Sequence, residues 1–232
     1  MIKPGEQWGR PTDATADLEC HGDDQALAAL ITAGRTGSAL GPLVRFFPEG
    51  SDLARAVGVA DVKVGGAALR AHDDRPDQGV ELPIDAISSD IGLAMNCIIL
   101  GVVPTRVHAY HRRRPIRVRV DGRELFSGRA TTVVIANGQF VEGADLVPRG
   151  HPGDGRLEIQ VYALAPGERG PMRRRLPAGI HLPHPHIIAT SGRAVEVDGL
   201  TRPWPINLDR RSDTVETALG VAILPSVIRL LI

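Results

Sequence analysis

Residues 116–120 constrain the fold more than any other stretch of the chain. Ile116, Val118 and Val120 alternate with Arg117 and Arg119, the two-residue repeat of a strand with one buried and one wet face. Asp121-Gly122 follows as a two-residue hairpin signal, and a buried β-branched run continues at 131–136. Further strand patterns fall at 157–162, 187–190, 194–197, 204–208 and 227–232, with Gly and Pro turns at the spacing of sandwiches and distorted barrels. This stretch is predicted to be sheet.

Residues 18–58 read differently. An apolar 18–20 precedes helical spacing at 26–32, a strand pattern at 43–47 precedes helical spacing at 53–57, and no repeat or low-complexity tract occurs. Gly65, Gly66 and the polar run from His72 to Gly79 carry loop chemistry, dividing the chain into 1–79 and 80–232.

Composition narrows the function. At 232 residues, 43% hydrophobic and 23% charged, the chain is globular and not disordered. Equal numbers of basic and acidic side chains, 27 each, remove the simple case for nucleic acid. With Phe 4, Trp 2 and Tyr 2, base-stacking platforms are scarce and the core must be aliphatic. Cys20 and Cys97 alone cannot build a disulfide scaffold or a thiolate zinc site, which suits a reducing cytoplasm. The first residues, interrupted by Pro4, Gly5 and Pro11, lack the apolar core of an export signal. Residues 91–103, with Asn96 inside, and 219–232, broken by Pro225 and Arg229, are too short or interrupted to span a bilayer. The predicted location is cytoplasmic, with peripheral contact at the inner membrane surface left open, and nothing opposes a homo-oligomer.

Several segments could carry chemistry. His21-Gly22-Asp23-Asp24-Gln25 lies between a strand and a helix, the geometry that turns backbone N–H groups and a positive helix end toward phosphate. Asp23 and Asp24 are equally ordinary helix caps, and a carboxylate about 5 Å from a phosphate costs roughly 3 kcal/mol at an effective dielectric near 20. Pro48-Glu49-Gly50-Ser51-Asp52 is a second such turn, with Ser51 or Asp52 as a natural N-cap. In Gly153-Asp154-Gly155, turn chemistry competes with Asp154 as a metal or water ligand. His181, His184 and His186 lie close together, but Pro183 and Pro185 force an extended path and no ligand spacing is recognisable, so they read as loop histidines. The basic runs 111–114 with Arg117 and Arg119, and 172–175, could attract anionic headgroups or simply face water. Asp209, at a strand end beside Arg210 and Arg211, would stay ionised.

In order, these segments resemble the diacylglycerol kinase family, which includes bacterial lipid kinases and sphingosine and ceramide kinases. Residues 18–30 resemble its Gly-Gly-Asp-Gly-Thr nucleotide loop, and PEGSDLARAVG at 48–58 its GTGNDFARxLG segment. Residues 82–107, with Asn96 and Gly101, are similar to the opening of its β domain. The strongest likeness is VVIANGQFVEGADLVPRGHPGDGRLEIQV at 133–161, followed by GIHLPHP at 179–185, the strand 204–208 leading to an Asp-Gly-Glu, and a closing strand at 224–232. The resemblance implies an α+β protein: a partial α/β lobe of the NAD kinase/diacylglycerol kinase type and a larger antiparallel β-sandwich lobe, whose last strand returns to the first lobe. It further implies ATP between the lobes with Mg2+, a lipid substrate, Asp209 as general base, and Gly22, Asp23, Gly50, Ser51 and Asp52 at nucleotide-loop positions.

The chain also departs from the pattern. About two strand–helix units expected before His21 are missing. His21, Asp24 and Gln25 replace Gly, Gly and Thr, Glu49 adds charge to the second loop, and Arg210-Arg211 replace Gly-Glu. Two readings follow. The chain is a divergent lipid kinase of phospholipid metabolism, with Asp209 as base and Arg210 or Arg211 on phosphate, or it is an inactive relative that binds a lipid or a protein.

Overall fold

The structure, a computed structural model, describes residues 8–34, 41–59 and 79–232. Gly65, Gly66 and residues 72–78 of the expected boundary loop lie outside the described residues.

The elements run β1 (Arg10–Thr12), β2 (Leu18–Gly22), α1 (Asp24–Ala33), β3 (Leu43–Pro48) and α2 (Asp52–Ala56). They continue β4 (Gly79–Ser89), β5 (Gly92–Ala94), β6 (Cys97–Gly101), β7 (Arg114–Val120), β8 (Arg123–Ala130), β9 (Thr132–Ala136), β10 (Phe140–Val141) and β11 (Ala144–Asp145). The rest are β12 (Leu157–Tyr162), α3 (Arg169–Arg175), β13 (Ile187–Gly192), β14 (Ala194–Asp198), β15 (Trp204–Leu208), β16 (Arg211–Val215) and β17 (Leu219–Leu231).

Two large sheets result. One runs β1-β4-β17-β14-β7-β8, with β3 beside β17, β2 beside β3 and β5 beside β4; the other runs β13-β12-β9-β6-β15-β16. All neighbours are antiparallel except β2–β3 and β3–β17, so the parallel α/β character is confined to the N-terminal strands. This is the expected α+β class. The facing sheets share a core in which Ile98, Ile135 and Ile159 meet Ile116, Val118, Val195 and Val221. β7 buries Ile116, Val118 and Val120 as its alternation predicts, and turns through Asp121 (φ 49°) and Gly122 (φ 76°), the left-handed pair of a type I′ hairpin.

A second core packs Leu27 of α1 and Leu53 of α2 on Val44, Ile84 and Ile228. The six-stranded sheet carries a third on its other face, where Met172 and Leu176 cover Val134 and Tyr162. With both faces covered, β9 is buried at every position, which is why it reads as a continuous apolar run.

The closing strand is longer than its sequence pattern. β17 begins at Leu219, passes an irregularity between Leu224 and Ile228, and holds Pro225 there, where no ladder hydrogen bond is lost. The fully buried Asp85 fixes the irregularity by accepting from Ser226 N (2.8 Å) and, across the chain, from Gly155 N (2.7 Å). Before it, β17 pairs with β14 and β4; after it, β17 pairs with β4 and β3.

Candidate functional site

The site lies where the N-termini of α1 and α2 meet the β10–β11 turn and the β15–β16 turn. Four aspartates are held there, each by backbone N–H groups. Asp23 caps α1, accepting from Gln25 N (3.0 Å) and Ala26 N (3.2 Å). Asp24 reaches across to α2, accepting from Asp52 N (3.2 Å), Leu53 N (3.3 Å) and the Ser51 hydroxyl, while that hydroxyl itself caps Ala54 N (2.8 Å). Asp52 accepts from Glu142 N (2.7 Å) and Gly143 N (2.9 Å) and pairs with Arg210 (3.2 Å). Asp209 is buried and accepts from Met95 N, Asn96 N (3.1 Å) and Cys97 N (2.7 Å).

The two flanking turns share this logic. Asp209 has φ 45° and Arg210 φ 74°, and Arg210 stands where the family sequence has glycine. The glycine-type backbone persists under an arginine, a strain of about 1–2 kcal/mol. The turn is tied down by Asn207 Oδ1 accepting from Arg210 N (2.7 Å) and by Gln25 Nε2 donating to Asp209 O (2.7 Å). Gln25, the residue standing for the family's Thr, thus links the first loop to the Asp209 turn.

The cleft between these loops is small and acidic. It offers about 10 Å³ to a water-sized sphere, room for one water. Its lining includes five carboxylates, Asp23, Asp24, Asp52, Glu142 and Asp209, against the single cation Arg210. Burial pushes Asp24 up to about 6, with Ser51 and the backbone donors pulling it down and the Asp52 charge adding to the rise. Burial, then the Asp24 charge, push Asp209 up to about 7 against its three backbone donors, which corrects the expectation that neighbouring arginines keep it ionised: Arg210 pairs with Asp52 and Arg211 turns away.

Of the residues singled out from sequence, Asp23, Gly50, Asp52, Asp209 and Arg210 line the cleft together, with Ser51 one bond away through Asp24. Gly22 ends β2, where its carbonyl accepts from Glu49 N (2.7 Å) and so joins the two loops. Arg211 turns aside, donating to Ile91 O (3.0 Å). Asp154 caps its own turn through Arg156 N (2.9 Å) and lines a different cavity, with Asp85 and Ser226. Among the described residues no three His, Cys, Asp or Glu side chains converge as a metal-holding group. His181 is buried beside Gln160 (3.3 Å), and His186 contacts Glu168 (2.7 Å).

Sequence reasoning missed two participants in the cleft and one buried cation outside it. Asp24 read as a cap of its own helix or as misplaced charge, yet it staples α1 to α2. Asn96 accepts from Asn137 N (2.8 Å) through its backbone oxygen, donates to Phe140 O (2.8 Å), and lies so close to Gly138 that a Cβ there would stand 2.2 Å from Asn96 Oδ1. Arg169 is wholly buried, its guanidinium donating to Leu164 O, His108 O, Ala109 O and His111 O, and nothing separates it in sequence from the exposed arginines that follow.

A family model described as the YegS C-terminal NAD kinase beta sandwich-like domain matches residues 78–232, and the chain belongs to that family. The fold is also that of a diacylglycerol kinase from Bacillus anthracis str. Sterne, at TM-score 0.69 and 16% identity over 92% of this chain and 75% of that one. A second structure from the same organism gives TM-score 0.70 and 17% identity, over 92% and 77%. No curated protein matches the chain. Among the described residues no helix is long and apolar enough to cross a membrane.

Proposed function

We propose that this member of the diacylglycerol kinase-like family binds a lipid without transferring phosphate to it. One observation carries the reading: the backbone N–H groups around the cleft already hold the chain's own carboxylates. A triphosphate would need those donors, and an ionised carboxylate about 5 Å from it opposes it at roughly 3 kcal/mol. Every carboxylate oxygen of Asp24, Asp52 and Asp209 already accepts an N–H or O–H group, so these side chains are held for structure within the cleft. On this reading the cleft holds neither ATP nor Mg2+. For the lipid, the outer face of β12 and β13 offers a groove of about 720 Å³, within the range of small-molecule sites. Val147, Leu182 and Ile187 supply apolar walls, and Arg149 supplies a cation for a polar headgroup.

A second reading has its own support. Asp209, raised to about 7, is matched to proton abstraction near neutral pH, as a lipid kinase using ATP and Mg2+ would require of its general base, with Arg210, the arginine that lines the cleft, on phosphate.

The deciding experiment incubates the protein with labelled ATP, Mg2+ and a panel of diacylglycerol and sphingoid lipids, beside Asp209→Asn. The binding reading expects no label transfer and no measurable ATP affinity, together with binding of dioctanoylglycerol that Ala189→Trp, placed in the groove wall, abolishes. Transfer that disappears in Asp209→Asn establishes the kinase instead.

A further inference from the structure

The two most exposed large apolar side chains among the described residues are Tyr110 (75% exposed) and Ile180 (66%). They sit on segments that pack together. The loop carrying Tyr110 gives three carbonyls to the Arg169 guanidinium at the start of α3 (2.6–3.0 Å). Tyr110 stacks on His108 with ring centroids 5.4 Å apart, and His108 in turn meets the Arg173 guanidinium (2.9 Å). Ile180 N donates to Arg175 O (3.3 Å), so Ile180 directly follows the end of the same helical segment.

Charge on this face is unspent. Arg112, Arg174 and Arg175 are exposed, and none of their guanidiniums forms an ion pair or hydrogen bond among the described residues. The other arginines of the basic runs behave differently: Arg117 pairs with Glu124 and Asp198, and Arg119 with Asp198 and Glu196. Two nearby carboxylates are committed, Glu142 to Arg106 (2.7 Å) and Glu168 to His186; a third, Asp145, lies against Gly179 with its Oδ1 buried away from the surface. Three unpaired guanidiniums near two projecting apolar side chains, one an aromatic with a polar tip, are complementary to an anionic bilayer surface. Arginines attract the headgroups, tyrosine is at home at headgroup depth, and an aliphatic side chain gains by entering the acyl boundary.

We propose that the loop at 108–112 together with α3 and residues 176–180 docks this protein on an anionic membrane surface. This docking does not depend on whether the groove binds a lipid or the cleft transfers phosphate.

Vesicle co-sedimentation tests it. The protein is expected to partition onto phosphatidylcholine vesicles containing phosphatidylglycerol, to ignore pure phosphatidylcholine, and to be released by high salt. The triple change Arg112→Glu, Arg174→Glu, Arg175→Glu should lower partitioning at least about tenfold. Tyr110→Ser with Ile180→Ser should lower it severalfold without altering the salt dependence, and Arg123→Glu, at the β7–β8 hairpin, should change nothing. As a readout independent of these losses, Tyr110→Trp should show fluorescence quenched by brominated lipid. Equal binding to neutral vesicles, indifference to the triple reversal, absence of quenching, or equal affinity for soluble heparin each overturns the proposal. Dioctanoylglycerol binding measured in parallel separates a failure of this face from a failure of the groove.

Discussion

In the sandwich core, Ile98, Ile135 and Ile159 meet Val118, Val195 and Val221 by shape alone, whereas in the cleft Asp24, Asp52 and Asp209 are each held by two or three particular donors. The first arrangement tolerates any apolar side chain of similar volume. The second tolerates almost none, because each lost oxygen strands a buried N–H group. The contrast explains where the chain keeps the family pattern and where it departs: sheet positions need only a period of two, while cleft positions can be rebuilt only as a set. Asp24, Gln25 and Arg210 look like such a set, since each now bonds another loop of the cleft.

The contrast can be broken by mutation. The largest effect is expected from Ile135→Ala, which opens a cavity between the sheets and should cost about 3–4 kcal/mol in denaturant unfolding, while Ile135→Val should cost about 1. Equal costs for the two would mean that the core does not discriminate by volume. Asp209→Asn, almost unchanged in shape, should still cost about 2–3 kcal/mol by presenting an amide NH2 to the Met95–Cys97 N–H groups. A neutral outcome would put the cleft under the same rules as the core.

The pH dependence comes next in size. A carboxyl whose folded pKa lies above its unfolded value of about 3.9 binds its proton more tightly when folded. The contribution of Asp24 and Asp209 is therefore full below about pH 4 and is lost as pH rises through about 6 and about 7. His181, held below its ordinary value by burial, contributes in the opposite sense, losing stability as pH falls, so the useful quantity is a difference between proteins. Relative to wild type, Asp24→Asn should gain about 1–3 kcal/mol between pH 5 and pH 8. A difference that stays flat over this interval removes the coupled pair from the picture. The smallest effect is expected from Arg210→Gly. Relief of the left-handed backbone and loss of the half-exposed pair with Asp52 should nearly cancel, leaving a change under about 1 kcal/mol in thermal unfolding.

Much of this fold was legible because burial is periodic. The alternation in β7, the Asp-Gly turn after it and the apolar run of β9 each correspond to an observed element. Elements without a period were not. β16 exposes four of its five residues, and β4 is mixed, with the buried carboxylate of Asp85 among apolar neighbours. The start of β17 was hidden by Pro225, which reads as a strand breaker unless its partner Asp85 is known. In the cleft, the capping by Asp23 and Ser51 was readable from local spacing. The Asp24–Ser51 and Asp209–Cys97 links join residues 27 and 112 positions apart, and no local pattern encodes them.

The pairing of β3 with β17 also fixes an order of events during synthesis. Val44 meets Leu230, 186 positions further along, so at about 5–20 residues per second β3 leaves the ribosome on the order of ten seconds or more before its partner exists. Through that interval one side of β3 is an open strand edge able to pair with another chain. The two helices whose loops form the cleft rest on this unfinished sheet, so the cleft is among the last parts of the molecule to take shape, and newly made copies are exposed to aggregation until it does.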